Sequence, residues 1–364
     1  MSIYIIASVF FAFLTSVVIT QVVLVTNRYH GGLSLDNDLG SVQKVHKQPT
    51  SRIGGISVFL SFLIILIVDH LINIDSVYGA TLSISSLMIF IIGTLEDLTK
   101  VVTPLIRITV MTAGAILAVF VTGALPAVTY TDFSHLERLI QYYPFIGVAL
   151  SLFCAVGLTN AYNIIDGFNG LTSTAAMLNT IGLMLVACFV QDIVIIKITS
   201  VFFAAILGFW IFNYPYGKIF LGDGGAYVIG FIIAVISIYV IHEHKSFISP
   251  YSVLLMAIYP ITEVGFSMFR RRFVHKTKCM QPDAMHLHQL IYYRCTPYMA
   301  KNRNAMVMPV MLIFMLPQTI FGVIFYKNTL VCSLLIVLYI TFYTTAYFSI
   351  IRFKSFRFLK FMIK

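Results

Sequence analysis

The chain has 364 residues, of which 59% are hydrophobic and 10% charged, and its mean hydropathy is +0.93. Soluble domains carry roughly 25% charged residues, so this composition excludes a soluble globular protein. The net charge of +10 needs no nucleic-acid partner, because basic loops facing anionic lipid account for it.

In chain order, apolar runs predict membrane spans at 3–25, 53–72, 80–95, 105–124, 143–160, 171–190, 193–212, 225–241, 251–269, 305–325 and 329–350. Uninterrupted runs exclude the alternating pattern of a barrel. The expected fold class is an all-α polytopic transmembrane helix bundle of about 11 spans (10–11), forming one domain over residues 1–364. The count drops to ten if the short third run, or the pair divided only by Gln191 and Asp192, is read differently. The first run begins at Ile3 with no basic residue before it, and reads as a retained span rather than a signal peptide. Cys154, Cys188, Cys279, Cys295 and Cys332 form no CxxC pair and read as free thiols.

Alternating the spans puts 26–52, 96–104, 161–170, 213–224, 270–304 and the tail 351–364 on one side. With Arg107 just inside its helix, that side carries 20 of the 24 Lys and Arg residues, against Arg138, Lys197, Lys245 and Lys327 on the other. The positive-inside rule makes the first side cytoplasmic, with the N-terminus outside and the C-terminus inside.

Five polar clusters fall on that side. Residues 46–55, HKQPTSRIGG, offer Lys47 and Arg52 to phosphate and a Gly pair to close backbone approach; a basic anchor with a turn is the plainer alternative. Glu96-Asp97 places adjacent carboxylates at a helix end, where a cation would offset their repulsion. Residues 160–171, NAYNIIDGFNGL, gather Asn160, Asn163, Asp166 and Asn169 with two glycines between apolar runs. Residues 213–225 lead from Asn213 to Asp223 among three glycines at a helix start, a place suited to phosphate and its metal, or to a simple cap. The loop 270–304 opens with three arginines and contains Pro282-Asp283 and His286-Leu287-His288-Gln289. These histidines suit hydrogen bonding to phosphate or sugar oxygens better than zinc. Of fourteen Asp and Glu, five (Glu96, Asp97, Asp166, Asp223, Asp283) lie in these clusters, which singly decide nothing but together hold acids, bases and glycines suited to magnesium and diphosphate chemistry.

The set resembles the five ordered cytoplasmic motifs of the polyprenyl-phosphate N-acetylhexosamine-1-phosphate transferase family, from about residue 46 to 290. The pair of NxxNxxDGxxGL and a later FxGDxG carries most of the likeness. Members start peptidoglycan, O-antigen, enterobacterial common antigen and teichoic acid lipid carriers. The resemblance implies transfer of a sugar-1-phosphate (GlcNAc-1-phosphate or a deoxy relative) from a UDP-N-acetylaminosugar to undecaprenyl phosphate. It implies UMP release, Mg²⁺ with Mn²⁺ as a substitute, and a bacterial inner-membrane enzyme whose active-site loops face the cytoplasm; a homodimer is an open alternative. It assigns Glu96, Asp97 and Asp223 to catalysis, with Asp223 and Asp97 as metal ligands. Lys47, Arg52, Asn160, Asn163, Asp166, Asn169, Asn213, His286 and His288 would bind substrate.

Glu96, Asn169, Ala226 and Gln289 replace the family's more frequent Asp, Asp, Ser and His. Gln289 in particular argues against the muramyl-pentapeptide branch, whose loop carries three histidines. The rival reading is a secondary transporter of a small anionic solute, which would place its ionisable groups near the midplane of repeated halves. Glu263 is the acid read deepest inside a span; it pairs with a cytoplasmic-side Arg or supports the site from behind. A non-catalytic scaffold or flippase-like partner is a second rival.

Overall fold

The computed structural model describes residues 2–36, 49–72, 77–121, 134–274, 285–296 and 302–352. Lys47, Cys279 and Asp283 lie outside the described residues. Among the described residues fourteen α-helices account for nearly all the structure: α1 (Ser2–Ser34), α2 (Gly55–Ile72), α3 (Val77–Thr99), α4 (Pro104–Val121), α5 (Ser134–Tyr142), α6 (Pro144–Ile164), α7 (Leu171–Phe189), α8 (Ile193–Asn213), α9 (Gly222–Glu243), α10 (Pro250–Met256), α11 (Ile258–Phe269), α12 (Leu287–Arg294), α13 (Val307–Ile324) and α14 (Thr329–Ile351). One antiparallel two-residue pair joins Leu35–Asp36 to Thr50–Ser51.

Among the described residues eight helices are long and apolar enough to cross a membrane, or nine when α10 and the helix after it count as one bent span. Two shorter apolar helices, Gly55–Asp69 and Pro104–Val119, stand where two further spans are expected. The chain is an all-α polytopic membrane protein. The ninth expected span, 251–269, is not continuous: it bends by 77° between α10 and the helix starting at Ile258. Pro260 explains the break, since it has no N–H to offer Met256 and its ring crowds that carbonyl.

The bundle is arranged around α9. This helix is apolar on every face, as a helix must be to sit at the centre, and almost all of it is buried against α2, α3, α4, α6 and α7. The peripheral helices are α1 and α14, whose apolar side chains mostly face outward. Small residues let neighbours approach: α1 meets α8 where Gly208 lies against Ser16, whose hydroxyl donates to the Ala205 carbonyl at 2.7 Å.

Local signals set the helix ends. Pro144 occupies the first turn of α6, and the Asp192 carboxylate caps α8 by accepting from Ile195 N at 3.0 Å. That cap separates the sixth and seventh expected spans into two helices. On the same end of the bundle, His244 Nε2 meets the other Asp192 oxygen at 2.8 Å, and Lys197 pairs with Asp69. Helix α3 runs further than the 80–95 expected, so Glu96 and Asp97 belong to its last turn rather than to a loop.

Candidate active site at the start of helix α9

Three segments meet at the first turn of α9. Residues 51–55 run beside 220–221, with Phe220 N donating to Ser51 O at 2.8 Å, Gly54 N to Phe220 O at 2.9 Å and Gly55 N to Leu221 O at 2.8 Å. Side chains would prevent this approach: a Cβ on Gly55 would lie 2.3 Å from the Gly225 Cα, and one on Gly93 2.5 Å from the Gly224 Cα. Gly222 adopts φ +77°, and a Cβ there would fall 1.8 Å from the Arg52 carbonyl oxygen. Gly222→Ala therefore meets both left-handed strain, about 1–2 kcal/mol, and a collision with backbone. A melting temperature several degrees below wild type is expected, with lost activity, measured by thermal unfolding of the purified protein.

The Asp97 carboxylate crosses from α3 to cap α9: Oδ1 accepts from Asp223 N at 3.0 Å and Oδ2 from Gly224 N at 2.9 Å. Its side chain is 3% exposed, whereas that of Asp223 is 24% exposed. Asp223 Oδ1 accepts from Asn163 Nδ2 at 2.8 Å, and Arg52 Nη2 lies 3.9 Å from it and 3.7 Å from Asp97. Among the described residues nothing donates to Asp223 Oδ2. Two acids thus share one cation and one helix N-terminus, a positive end that favours anions.

Glu96 points elsewhere. Its Oε1 pairs with Arg107 Nη1 at 2.6 Å, and that nitrogen also donates to Tyr227 Oη at 2.7 Å. In the sequence Arg107 stands out only as a basic residue just inside its helix; no local pattern signals this pair between α3 and α4.

The 160–171 stretch forms the end of α6, a turn and the start of α7. Asn163 faces Asp223, as described. Asp166 is half-buried in the turn, and burial pushes its carboxyl up from 3.8 to about 7, with nearby Asp223 adding to the shift and Arg52 opposing it. A raised carboxyl favours the unfolded chain between the two values, so its stability penalty grows from about pH 4 to 7 and is full above. Asp166→Asn removes the penalty. The variant is expected to melt higher than wild type at pH 8, with the gain shrinking at pH 5, in paired thermal scans.

The remaining asparagines tie loops together. Asn213 Oδ1 accepts from Gly170 N at 2.6 Å while its Nδ2 donates to Ile219 O at 2.7 Å. Asn169 Nδ2 donates to Pro215 O at 3.0 Å, and Asn169 N donates to Asn304 Oδ1 at 2.7 Å. Asn160 bonds the carbonyl of Val156 on its own helix at 2.8 Å. Asn304, before α13, carries no sequence signal that could have found it.

His286 and His288 begin α12, both buried, with rings parallel at 5.4 Å. His286 Nδ1 meets Glu263 Oε1 at 2.9 Å, so the acid read inside span nine serves this loop. Burial, with His286 adding, holds His288 down to about 3, against the pull of Glu263. Phe168 packs edge-on against the His288 ring at 5.6 Å and joins the histidines to the 160–171 turn.

Among the described residues no group of three or more His, Cys, Asp or Glu could hold a metal ion. Mg²⁺ does not require one, since it commonly takes one or two carboxylates with substrate phosphates and waters. The partly exposed Asp223, with one oxygen unclaimed, fits that demand. Asp97 has both oxygens engaged by backbone amides.

Fold and site together define a membrane-embedded helical protein with an acid, amide and glycine cluster at one end of its bundle. Residues 79–241 match the family model described as Glycosyl transferase family 4. Over 259 residues the chain is 27% identical to the "Probable undecaprenyl-phosphate N-acetylglucosaminyl 1-phosphate transferase" of Bacillus subtilis, covering 69% of this chain and 68% of that one. It is 28% identical over 281 residues to the "Phospho-N-acetylmuramoyl-pentapeptide-transferase" of Streptococcus thermophilus, covering 74% and 77%. A protein of the same description from Streptococcus agalactiae is 30% identical over 224 residues, covering 57% and 64%. These likenesses agree with the resemblance of the five polar clusters to the polyprenyl-phosphate N-acetylhexosamine-1-phosphate transferases.

Proposed function

We propose that the protein transfers an N-acetylaminosugar-1-phosphate, GlcNAc-1-phosphate first among the candidates, from a UDP-sugar to undecaprenyl phosphate. The products are undecaprenyl-diphosphate-sugar and UMP, and the step starts a cell-surface glycan. The observation that carries this reading is the meeting of Asp223, Asp97, Arg52 and Asn163 at the N-terminus of α9.

The chemical problem is to bring an anionic lipid phosphate against an anionic diphosphate. Charge neutralisation and in-line positioning are most of what phosphoryl transfer asks of a protein. In our reading Asp223 holds Mg²⁺, which when bound neutralises the diphosphate of the donor. Asp97 keeps the first turn of α9 in place and so aims Asp223. Arg52, joined by Lys47, holds phosphate oxygens as a fork and a point charge. Asn163 orients Asp223, and Asp166 faces the nucleotide. Asn169 and Asn213 shape the pocket by holding its loops. Glu96, tied to Arg107, lies at the margin where the acceptor phosphate would enter.

The lipid acceptor cannot leave the bilayer and the nucleotide sugar is cytoplasmic. The site therefore belongs at the cytoplasmic face of the inner membrane, with the N-terminus outside and the C-terminus inside, in keeping with the Lys and Arg bias. Purified protein with undecaprenyl phosphate and Mg²⁺, offered a panel of UDP-aminosugars, should release UMP with at least one of them. Inactivity across the whole panel overturns the reading, and metal-independent release overturns the role of Mg²⁺.

A further inference from the structure

Glu263 lies in α11, just past the break at Ala257, and is 1% exposed. A buried carboxylate costs several kcal/mol unless it is paired and hydrogen-bonded. Both of its oxygens are engaged. Oε1 accepts from His286 Nδ1 at 2.9 Å and from Leu287 N at 3.1 Å; Oε2 accepts from Tyr343 Oη at 2.9 Å, with His288 Nδ1 3.9 Å away. Tyr259 Oη shares a hydrogen bond with His288 Nδ1 at 2.9 Å. Behind them Arg270 and Tyr347 both bond the Met285 carbonyl just before the histidines.

Helices α11, α12 and α14 thus converge on the Nδ1 edges of two imidazoles. Among the described residues nothing bonds either Nε2. An imidazole whose Nδ1–H is held by a carboxylate has its tautomer and ring direction set, and its other nitrogen is presented to a ligand. A purely structural ion pair would not need the second imidazole stacked parallel beside the first, nor Phe168 of the nucleotide-facing turn packed on its edge.

We propose that Glu263 is a positioning residue for the transfer reaction: it locks His286 with Nδ1–H inward, so that the lone pair of Nε2 accepts from a hydroxyl of the nucleotide-sugar donor, beside the stacked ring of His288. The inference rests on the function proposed above. Glu263 touches no reacting atom and acts through His286.

The test compares full-length wild type with Glu263→Ala, Glu263→Gln, His286→Ala and the Glu263→Ala/His286→Ala pair. UMP release is measured for each, and side-chain nitrogen-15 NMR is recorded on histidine-labelled protein without substrate. Glu263→Ala should lower turnover about a hundredfold, the scale of a misplaced binding group. It should also abolish the Nδ1–H signature of His286. In the His286→Ala background the same change should cost less than about threefold, because one residue acts through the other. Glu263→Gln, whose amide oxygen still accepts, should keep the signature and recover part of the turnover. Additive losses in the cycle, or an Nδ1–H signature that survives Glu263→Ala, overturn the proposal. If the Ala variant does not accumulate folded, Glu263→Asp, too short to span His286 and Tyr343 together, replaces it in the same comparisons. Because the spectrum needs no substrate, a wild type inactive on every UDP-sugar sinks the transferase reading while the spectrum still decides the role of Glu263.

Discussion

Asp223→Asn is expected to lower UMP release by about a thousandfold while the protein stays folded, because in the proposed function it removes the charge that would hold Mg²⁺ against the donor diphosphate. The backbone is left alone: the residue's N–H still donates to Asp97, and an amide oxygen can still accept from Asn163. Its side chain is partly exposed, so no buried partner is orphaned. Melting temperature should stay within a few degrees of wild type. Turnover within tenfold of wild type at saturating Mg²⁺ would remove Asp223 from the reaction.

Asp97→Asn has a different signature. Each Asp97 oxygen accepts one backbone N–H of α9, and an amide supplies only one such oxygen. Its NH₂ would face the other N–H, leaving a buried donor unpaired at about 1–3 kcal/mol. The first turn of α9 then loosens and Asp223 loses its aim, so turnover should fall about a hundredfold together with melting temperature. The pair of variants separates two roles that adjacent acidic motifs cannot distinguish. Lost activity without lost stability in Asp97→Asn would mean that Asp97 acts on the substrate directly.

The bundle was legible because a bilayer demands long apolar helices, and each expected run has a helix behind it. Pro260 was hidden by its apolar neighbours, since prolines are tolerated in membrane helices, and the bend it causes depends on packing. The extension of α3 through Glu96-Asp97 was hidden by the opposite effect: charged residues look like a loop but continue the helix once capped by neighbours.

At the site, residue types and their shared side could be read in the chain. Their partners could not. Asp97 to the amides of α9, Glu96 to Arg107, Asn213 to Gly170 and Glu263 to His286 are contacts between distant segments, and no local periodicity encodes them. The glycines of 222–225 are the exception in part. Their density signalled close approach, though only the structure identifies Gly55, Gly93 and Arg52 as what approaches.

The central claim is that a sugar leaves its nucleotide with one phosphate attached and arrives on a lipid. UDP-GlcNAc, or the aminosugar the panel selects, can be labelled separately at its two phosphorus atoms and incubated with purified protein, undecaprenyl phosphate and Mg²⁺. The account predicts that the sugar-side phosphorus label enters the organic-extractable lipid and the nucleoside-side label is recovered as UMP, in equal amounts. Both labels remaining together in water-soluble product, or the nucleoside-side label entering the lipid, would contradict it.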